Sequence, residues 1–117
     1  MKRDNEYLRG LLFEIESNED DLYFVTVTMG MSAEERKEFY HIQLLCDDGY
    51  VIQVSEDGYR LTAQGHDFIE AIRDEGIWEK TKKAVTETGG NATLEMVKII
   101  AVGLLKKKIS EHSGIEL

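Results

Sequence analysis

The residues best suited to chemistry lie within one short stretch, in which an imidazole and several carboxylates follow one another. His66 and Glu70 are four residues apart, so a helix would place them on one face, and Asp67 and Asp74 stand nearby. Imidazole nitrogens and carboxylate oxygens are common ligands of divalent metals, so a metal or hydrolytic site could be assembled there. Such pairs are also common on solvated helix faces, and no HExxH pattern is present. We therefore expect no metal site, and we expect His66 to pack beside the neighbouring ribbon or to bond to backbone.

Cys46 is the second candidate for chemistry, because a cysteine thiolate can act as a nucleophile. It falls on the apolar side of a predicted helix with no histidine at a spacing that suggests a pair, and buried thiols are usually inert. We expect it to pack in the core. A single cysteine also excludes an intrachain disulfide, which fits a reducing compartment such as the cytoplasm. Since neither dinucleotide nor P-loop phosphate-binding patterns are present, the sequence predicts no enzyme activity and no cofactor.

The first half of the chain carries patterns typical of a helix, a strand and a second helix. Apolar residues at helical spacing predict a helix over residues 3–17, and the aromatic and β-branched run at 24–28 predicts a strand. Ser32 and Glu35 form a capping-box pattern ahead of a second helix, which should end near Asp47.

A two-stranded ribbon and another helix are predicted to follow without a linker. An Asp-Asp-Gly sequence stops the preceding helix, and alternating residues at 50–55 predict a strand. The turn signal Glu-Asp-Gly at 56–58 then leads into a second strand over 59–61. Thr62 is placed to cap the next helix, which should end near residues 74–76.

Two more helices are predicted towards the C-terminal end. One begins at Ile77 and stops at Gly89 and Gly90, because glycine readily takes the left-handed conformation that ends a helix. Thr93 opens the other, which keeps an apolar spacing of three and four residues. We expect residues 111–117 to fray.

The order helix, strand, helix, ribbon, helix predicts an α+β fold with a winged-helix-like core, to which two C-terminal helices are added. The sequence Tyr-Arg-Leu-Thr-Ala-Gln-Gly at 59–65 resembles the stretch where winged-helix regulators leave the wing for the next helix. That resemblance implies that Leu61 points inward and that the Thr62 hydroxyl caps the helix. We expect a single domain over residues 1–117, with its helical extension starting at about residue 77.

A narrower resemblance covers nearly the full length of the chain. It is carried by the opening Met-Lys-Arg-Asp, by the helix end from Leu44 to Gly49, and by Arg-Leu-Thr at 60–62 followed by Gly-His-Asp-Phe at 65–68. It continues through Ala71-Ile72-Arg73-Asp74, Trp78, Lys82 and Gly89-Gly90. In these features the chain is similar to a family of small bacterial and phage-borne proteins described only as a domain of unknown function. The resemblance implies the winged-helix-like core and brings no activity with it.

Two features argue against the DNA binding that winged-helix regulators perform. Only residues 29–32 separate the predicted strand from the helix at 33–47, so the short helix that completes a DNA-docking helix-turn-helix has no room. Residues 1–76 also hold seven Lys and Arg against eighteen Asp and Glu, a net charge of −11 that would repel phosphates. A DNA-binding regulator is therefore the alternative function. Its possible phosphate contacts would be Arg36, Lys37, Arg60, Lys82 and Lys83.

The favoured function is a small, non-enzymatic interaction module in the cytoplasm, which binds another protein or a second copy of itself. The acidic ribbon and the apolar stripe of the last helix motivate this hypothesis. Residues expected at such a surface are Tyr40, Tyr59, Val97 and Leu104. A further alternative is that the acidic surface imitates DNA. No membrane association is expected, because no apolar run approaches the roughly 20 residues that a spanning helix needs.

Overall fold

The computed structural model describes residues 1–90 and 92–117, and over these residues the chain is an α+β protein, as predicted. The described part contains five helices and one three-stranded antiparallel sheet, in an order compatible with a winged-helix-like layout. The elements are α1 Asn5–Ser17, β1 Tyr23–Phe24, α2 Ala33–Asp47, β2 Val51–Gln53, β3 Gly58–Leu61, α3 Ala63–Ile72, α4 Glu75–Glu87 and α5 Leu94–Ser113. They divide into two compact units, residues 1–66 and residues 67–117. The expectation of a single domain over residues 1–117 stays a prediction.

The first two helices begin at side-chain caps, as their sequences require. The Asp4 carboxylate accepts the N–H of Tyr7 at the start of α1. At the start of α2 the Ser32 hydroxyl accepts the N–H of Glu35, and the Glu35 carboxylate accepts the N–H of Ser32. These bonds satisfy backbone donors that have no partner inside the helix, so the predicted capping box is confirmed.

The sheet has the order β1-β3-β2, and its inward side chains come from alternate positions of the strands. Tyr59 and Leu61 of β3 are buried, whereas Arg60, which lies between these two residues, is exposed. Val51 of β2 is buried as well. The core of residues 1–66 consists of apolar side chains from both helices and this sheet: Leu8, Leu11, Leu12, Ile15, Val25, Ile42, Leu45, Tyr50, Val51, Tyr59 and Leu61. Residues 25–32, all of them described, are turn and coil. No helix therefore lies between β1 and α2, as predicted, but the gap is eight residues long instead of the predicted four because β1 ends at Phe24.

Both outer strands are shorter than predicted, because the middle strand with which they pair begins only at Gly58. The strand predicted over 24–28 is only Tyr23–Phe24, which pairs with Tyr59 and Gly58. The following N–H, on Val25, reaches the carbonyl of Asp57, which already belongs to the turn between β2 and β3. The strand predicted over 50–55 is likewise shortened to Val51–Gln53. The N–H groups of the next two residues both bond to the carbonyl of Gly58, so the chain turns there towards β3.

The C-terminal unit also departs from the predicted boundaries. Helix α4 starts at Glu75 instead of Ile77, because the Asp74 side chain accepts the N–H of Ile77 and so caps the helix two residues earlier. The predicted fraying from residue 111 is wrong for its first three residues, since α5 continues to Ser113 and ends where Gly114 takes a φ of 71°. The expected stop at residues 89 and 90 fits their positive φ values of 80° and 76°. No helix among the described residues has the length and apolar character needed to span a bilayer.

Thr62 joins the ribbon to α3 through two hydrogen bonds from one hydroxyl group. Its Oγ1 donates to the carbonyl of Gly49 at 2.5 Å and accepts the N–H of Gly65 at 3.1 Å. The first bond holds the start of α3 against the end of α2, and the second caps α3. The cap expected from the sequence is therefore confirmed.

We expect Thr62→Val to lower the free energy of unfolding by about 2 kcal/mol, because it removes the cap and leaves the Gly49 carbonyl without its side-chain donor. Urea unfolding followed by circular dichroism measures the change. Thr28→Val, at an exposed position in the coil after β1, is the matched control and should change little. Equal stability of the two variants would contradict the role assigned to Thr62.

Candidate interaction surface

The sheet presents one face away from the core, and that face is unusually apolar. Phe24 lies opposite Gly58, and Ile52 lies opposite Arg60. Because Gln53 pairs with Tyr59, the next position, Val54, lies across from Gly58, and its N–H bonds to the Gly58 carbonyl. Side chains alternate along a strand, so these positions share the face opposite to Tyr59 and Leu61. We call the surface formed by Phe24, Ile52, Val54, Gly58 and Arg60 the outer sheet face.

Three large apolar side chains of the outer sheet face are open to solvent. Phe24 is 56% exposed, Val54 is 54% exposed and Ile52 is 46% exposed. Within residues 1–66, all of which are described, the other exposed large apolar residues are Met1, Val27 and Met29, and the last two lie in the coil and turn after β1. Single exposed apolar side chains are ordinary, but a group of them on one sheet face is typical of a contact surface.

Gly58 leaves room for neighbouring side chains over the middle strand. A Cβ atom at this position would lie 2.5 Å from Oγ of Ser55, 3.1 Å from Cδ1 of Leu22 and 3.4 Å from the Phe24 ring. The space that a side chain of β3 would fill is therefore occupied by one hydroxyl group and two apolar side chains. Gly58 thus allows Leu22 and Phe24 to lie close to the middle strand.

A cleft of about 290 Å³ lies beside the C-terminal end of β3, where β1 no longer covers that strand. Its charged lining is mainly acidic, since Glu16, Asp20 and Asp21 face Arg60 and His66. The Arg60 guanidinium is held by its own strand, because Nη1 donates to the carbonyl of Leu61 at 3.0 Å. This arrangement suits a cationic side chain better than an anion. His66 lies beside the ribbon, as predicted, but it is exposed.

Tyr23 ties the sheet to both helices of the first unit. Its hydroxyl oxygen lies 2.8 Å from Oε2 of Glu38 and 3.1 Å from Oε2 of Glu14, and it donates its proton to one of the two. Burial raises the pKa of Tyr23 well above its usual value, and the two carboxylates raise it further. The phenol therefore acts as a hydrogen-bond donor and offers no base.

Both ring nitrogens of His41 form hydrogen bonds to backbone groups. It is completely buried, and its Nε2 accepts the N–H of Asp4 at 3.0 Å. Its Nδ1 therefore carries the proton, which it donates to the carbonyl of Lys37 at 2.7 Å. Both ring nitrogens are occupied, so His41 joins the start of α1 to α2 and leaves no nitrogen for a ligand.

Cys46 is half-buried on α2, and the core position predicted for it is only partly reached. Burial raises the pKa of its thiol, and the neighbouring Asp47 carboxylate raises it further. A thiolate is the reactive form of cysteine, so a raised pKa makes this side chain a poor nucleophile. Its environment agrees with the packing role expected from the sequence.

Comparison with known proteins places this fold in a family. A family model described as Hypothetical protein (DUF2513) matches residues 2–91, well over half of the chain. The chain belongs to the DUF2513 family. It is also 20% identical over 118 residues to a Haemophilus influenzae protein named only "Uncharacterized protein", with 94% of this chain and 100% of that protein covered. No solved structure matches it.

The region shared with the DUF2513 family contains every residue of the outer sheet face and the acidic cleft beside it. It also contains the Thr62 cap and Gly65. Helix α5 lies beyond the matched residues. All five predicted phosphate contacts lie within the matched residues, whereas two of the four predicted interaction residues, Val97 and Leu104, lie beyond them.

Three of the five predicted phosphate contacts of this DUF2513 protein are engaged with their own chain. Lys37 Nζ lies 3.4 Å from Oδ2 of Asp4 and 4.7 Å from the centroid of the Tyr7 ring. Lys82 Nζ lies 3.0 Å from Oε1 of Glu79. Arg60 bonds to its own strand and lines the acidic cleft, as described above. The other two, Arg36 and Lys83, are exposed on α2 and α4.

The four predicted interaction residues are buried or half-buried in the fold. Tyr59 is 4% exposed and Val97 is 1% exposed, whereas Tyr40 and Leu104 are half-buried. Sequence periodicity places a residue on an apolar face but does not say whether that face turns inward. In the folded chain, large apolar surface is instead offered by Phe24, Ile52 and Val54, which sequence reasoning assigned only to strands.

No group of three or more His, Cys, Asp or Glu side chains in the described residues could hold a metal ion. Two of the carboxylates proposed beside His66 have other partners. Glu70 Oε1 accepts from Nη2 of Arg73 at 2.9 Å, and Asp74 pairs with Lys108. Lys108 and the N–H of Ile77, which Asp74 also accepts, lower the pKa of the Asp74 carboxyl group. These carboxylates therefore serve ion pairs and a helix cap.

Proposed function

We propose that this chain is a non-enzymatic interaction module on a winged-helix-like scaffold, and that its outer sheet face binds a segment of a protein partner. The observation that carries the proposal is the exposure of Phe24, Ile52 and Val54 together on one side of a small sheet. Covering them with a partner would remove apolar surface from water, which is the main favourable term in protein association. A reducing cytoplasm is the proposed location, which the lone half-buried cysteine supports.

The negative charge of residues 1–66 favours a partner segment that is basic as well as apolar. Residues 1–66 hold six Lys and Arg against fourteen Asp and Glu, a net charge of −8. Glu56 and Asp57 lie in the turn at one end of the outer sheet face, and Asp20 and Asp21 line the cleft beside the other end of β3, which Arg60 also lines. A lysine or arginine of the partner could enter that cleft while its apolar residues cover the sheet. Complementary charge of this kind gives specificity and a faster encounter.

The same charges disfavour the alternative, a DNA-binding regulator. A DNA-contacting wing presents cations to phosphates, whereas the turn between β2 and β3 carries two carboxylates. The lysine and arginine side chains that would serve as phosphate contacts on α2 and β3 are partly committed to Asp4 and to the Leu61 carbonyl. A protein partner explains the exposed apolar face, and a DNA partner does not.

A displayed library of random peptides tests the proposal and does not require the natural partner to be identified. We expect the enriched peptides to carry net positive charge and alternating apolar residues. We expect Phe24→Ser with Val54→Ser to weaken binding of a selected peptide by at least about tenfold, since two exposed apolar anchors are lost. Asp20→Asn with Asp21→Asn should weaken it less and reduce its dependence on salt. Fluorescence anisotropy with the labelled peptide measures both effects.

The matched control is Ile115→Ser, since Ile115 is 60% exposed and lies in the other unit of the chain. It should leave peptide binding unchanged. Peptides that bind equally well to the Phe24 and Val54 double variant would contradict the proposal. Salt-sensitive binding of duplex DNA at about 20 mM salt, lost on Arg36→Ala, would favour the DNA-binding alternative instead.

A further inference from the structure

Helix α5 carries a second exposed apolar stripe, which is separate from the outer sheet face. Val97 and Ala101 are buried on one side of the helix, whereas Met96 is 47% exposed and Ile99 is 61% exposed on the other. Gly103 shares that outer side, since positions 96, 99 and 103 follow the helical spacing of three and four residues. We call Met96, Ile99 and Gly103 the α5 stripe.

Gly103 has no packing reason inside the chain. It is exposed, and a Cβ atom added there would meet no heavy atom of the described residues within 4 Å. A glycine inside a helix weakens that helix relative to alanine, because the unfolded chain loses more freedom on folding. What glycine does provide is room for another helix to approach closely, as small residues do wherever helix backbones pack tightly. The hollow at Gly103 lies one turn from the protruding Ile99 side chain.

The charges beside the α5 stripe are opposite at its two ends. Glu95 stands near the start of the helix and Lys106 stands eleven residues later, about three turns and roughly 16 Å along the axis. Both lie on the same flank of the stripe, because eleven residues bring a helix back to nearly the same angle. A helix that runs antiparallel to α5 and has the same sequence would place its Lys106 against Glu95, and its Glu95 against Lys106.

We propose that the α5 stripe is a self-complementary interface through which two copies of this chain form an antiparallel, two-fold symmetric dimer. In it, Ile99 of each copy packs towards the hollow at Gly103 of the other. Two Glu95 to Lys106 ion pairs flank this apolar centre. A two-fold interface uses the same surface on both copies, and this stripe meets that condition with one set of residues. The proposal stands on a different surface from the peptide-binding proposal and does not depend on it.

Sedimentation velocity and light scattering, from about 1 µM to 1 mM protein, test the dimer. We expect the wild-type chain to shift from monomer to dimer within this range. Ile99→Glu should weaken dimerisation at least tenfold, because it buries a charge at the centre of the interface. Ile115→Glu is the matched control, with nearly the same exposure at a site outside the stripe, and should dimerise as wild type.

A charge exchange tests the antiparallel geometry. Glu95→Lys alone and Lys106→Glu alone should each weaken the dimer roughly tenfold, since each replaces two attractive contacts with two repulsive ones. The two substitutions together should restore it, which a purely structural role of either residue would not produce. A monomeric mass for the wild-type chain up to 1 mM would overturn the proposal. So would a dimer that Ile99→Glu and the single charge changes leave intact.

Discussion

Gly65→Ala should destabilise the chain by roughly 3 kcal/mol, although it adds only one methyl group. Gly65 lies in the first turn of α3, and a Cβ atom there would stand 2.1 Å from the carbonyl oxygen of Tyr50 and 3.2 Å from Cδ2 of Leu61. The obstructing group is the backbone carbonyl of Tyr50, whose oxygen already accepts the N–H of Thr62 at 3.0 Å. Moving this carbonyl would therefore break or strain that hydrogen bond. The helix would have to move away from the ribbon, and the Thr62 cap would be disturbed with it.

Urea unfolding followed by circular dichroism measures this loss, and Gly10→Ala is its matched control. Gly10 also lies inside a helix, but it is exposed and a Cβ atom there would meet nothing within 4 Å. Alanine should therefore leave stability unchanged or raise it by about 0.5–1 kcal/mol, because alanine favours a helix. If both variants shifted the urea midpoint in the same direction by similar amounts, the close approach of the Tyr50 carbonyl would not explain why position 65 requires glycine.

His41→Ala is the second large effect, with an expected loss of roughly 3 kcal/mol. The substitution leaves a cavity between Tyr7 and Tyr40, whose ring centroids lie 4.8 Å and 5.3 Å from that of the imidazole. It also removes the acceptor for the Asp4 N–H, at the residue whose carboxylate caps α1. Loss of stability should therefore come with a less ordered start of α1.

Denaturant unfolding gives the magnitude, and hydrogen exchange at the first amides of α1 shows where the structure loosens. His112→Ala is the control, since His112 is exposed near the end of α5 and should tolerate the change. His41→Gln offers a second comparison, because its amide could replace one of the two bonds. If His41→Ala were no more destabilising than His112→Ala, the imidazole could not be a structural link between α1 and α2.

Stability and binding are expected to respond to different residues in this protein. The core glycine and histidine lie under the ribbon and between the first two helices, whereas Phe24, Val54 and Ile99 stand in solvent. Substituting those exposed residues should leave the unfolding free energy nearly unchanged, since they bury little area in the isolated chain. Loss of binding without loss of folding would therefore identify a contact surface and not a damaged core.

The sequence alone determined the α+β class, the order of the elements and most of their caps. Ser32, Thr62 and Thr93 act locally, because a capping side chain bonds to a backbone N–H only two or three residues away. Strand lengths were less predictable, since β1 and β2 end where β3 turns away, and the propensity of residues 24–28 contains no information about that partner. Helix α4 starts two residues before its predicted start for a local reason, because the Asp74 side chain caps it.

Only the tertiary structure decided which apolar residues face solvent and what each histidine does. Periodicity alone could not separate Val97, which is buried, from Ile99, which is exposed, because helix α5 is apolar on more than one side. The pairing of Phe24 with Gly58 and of Ile52 with Arg60 depends on strand register, which joins residues about thirty positions apart or across a turn. His41 became a structural link through Asp4, thirty-seven residues away, and no spacing rule reaches that far. Local hydrogen bonds depend on residues that are close in sequence, whereas burial and strand register depend on how the whole chain packs.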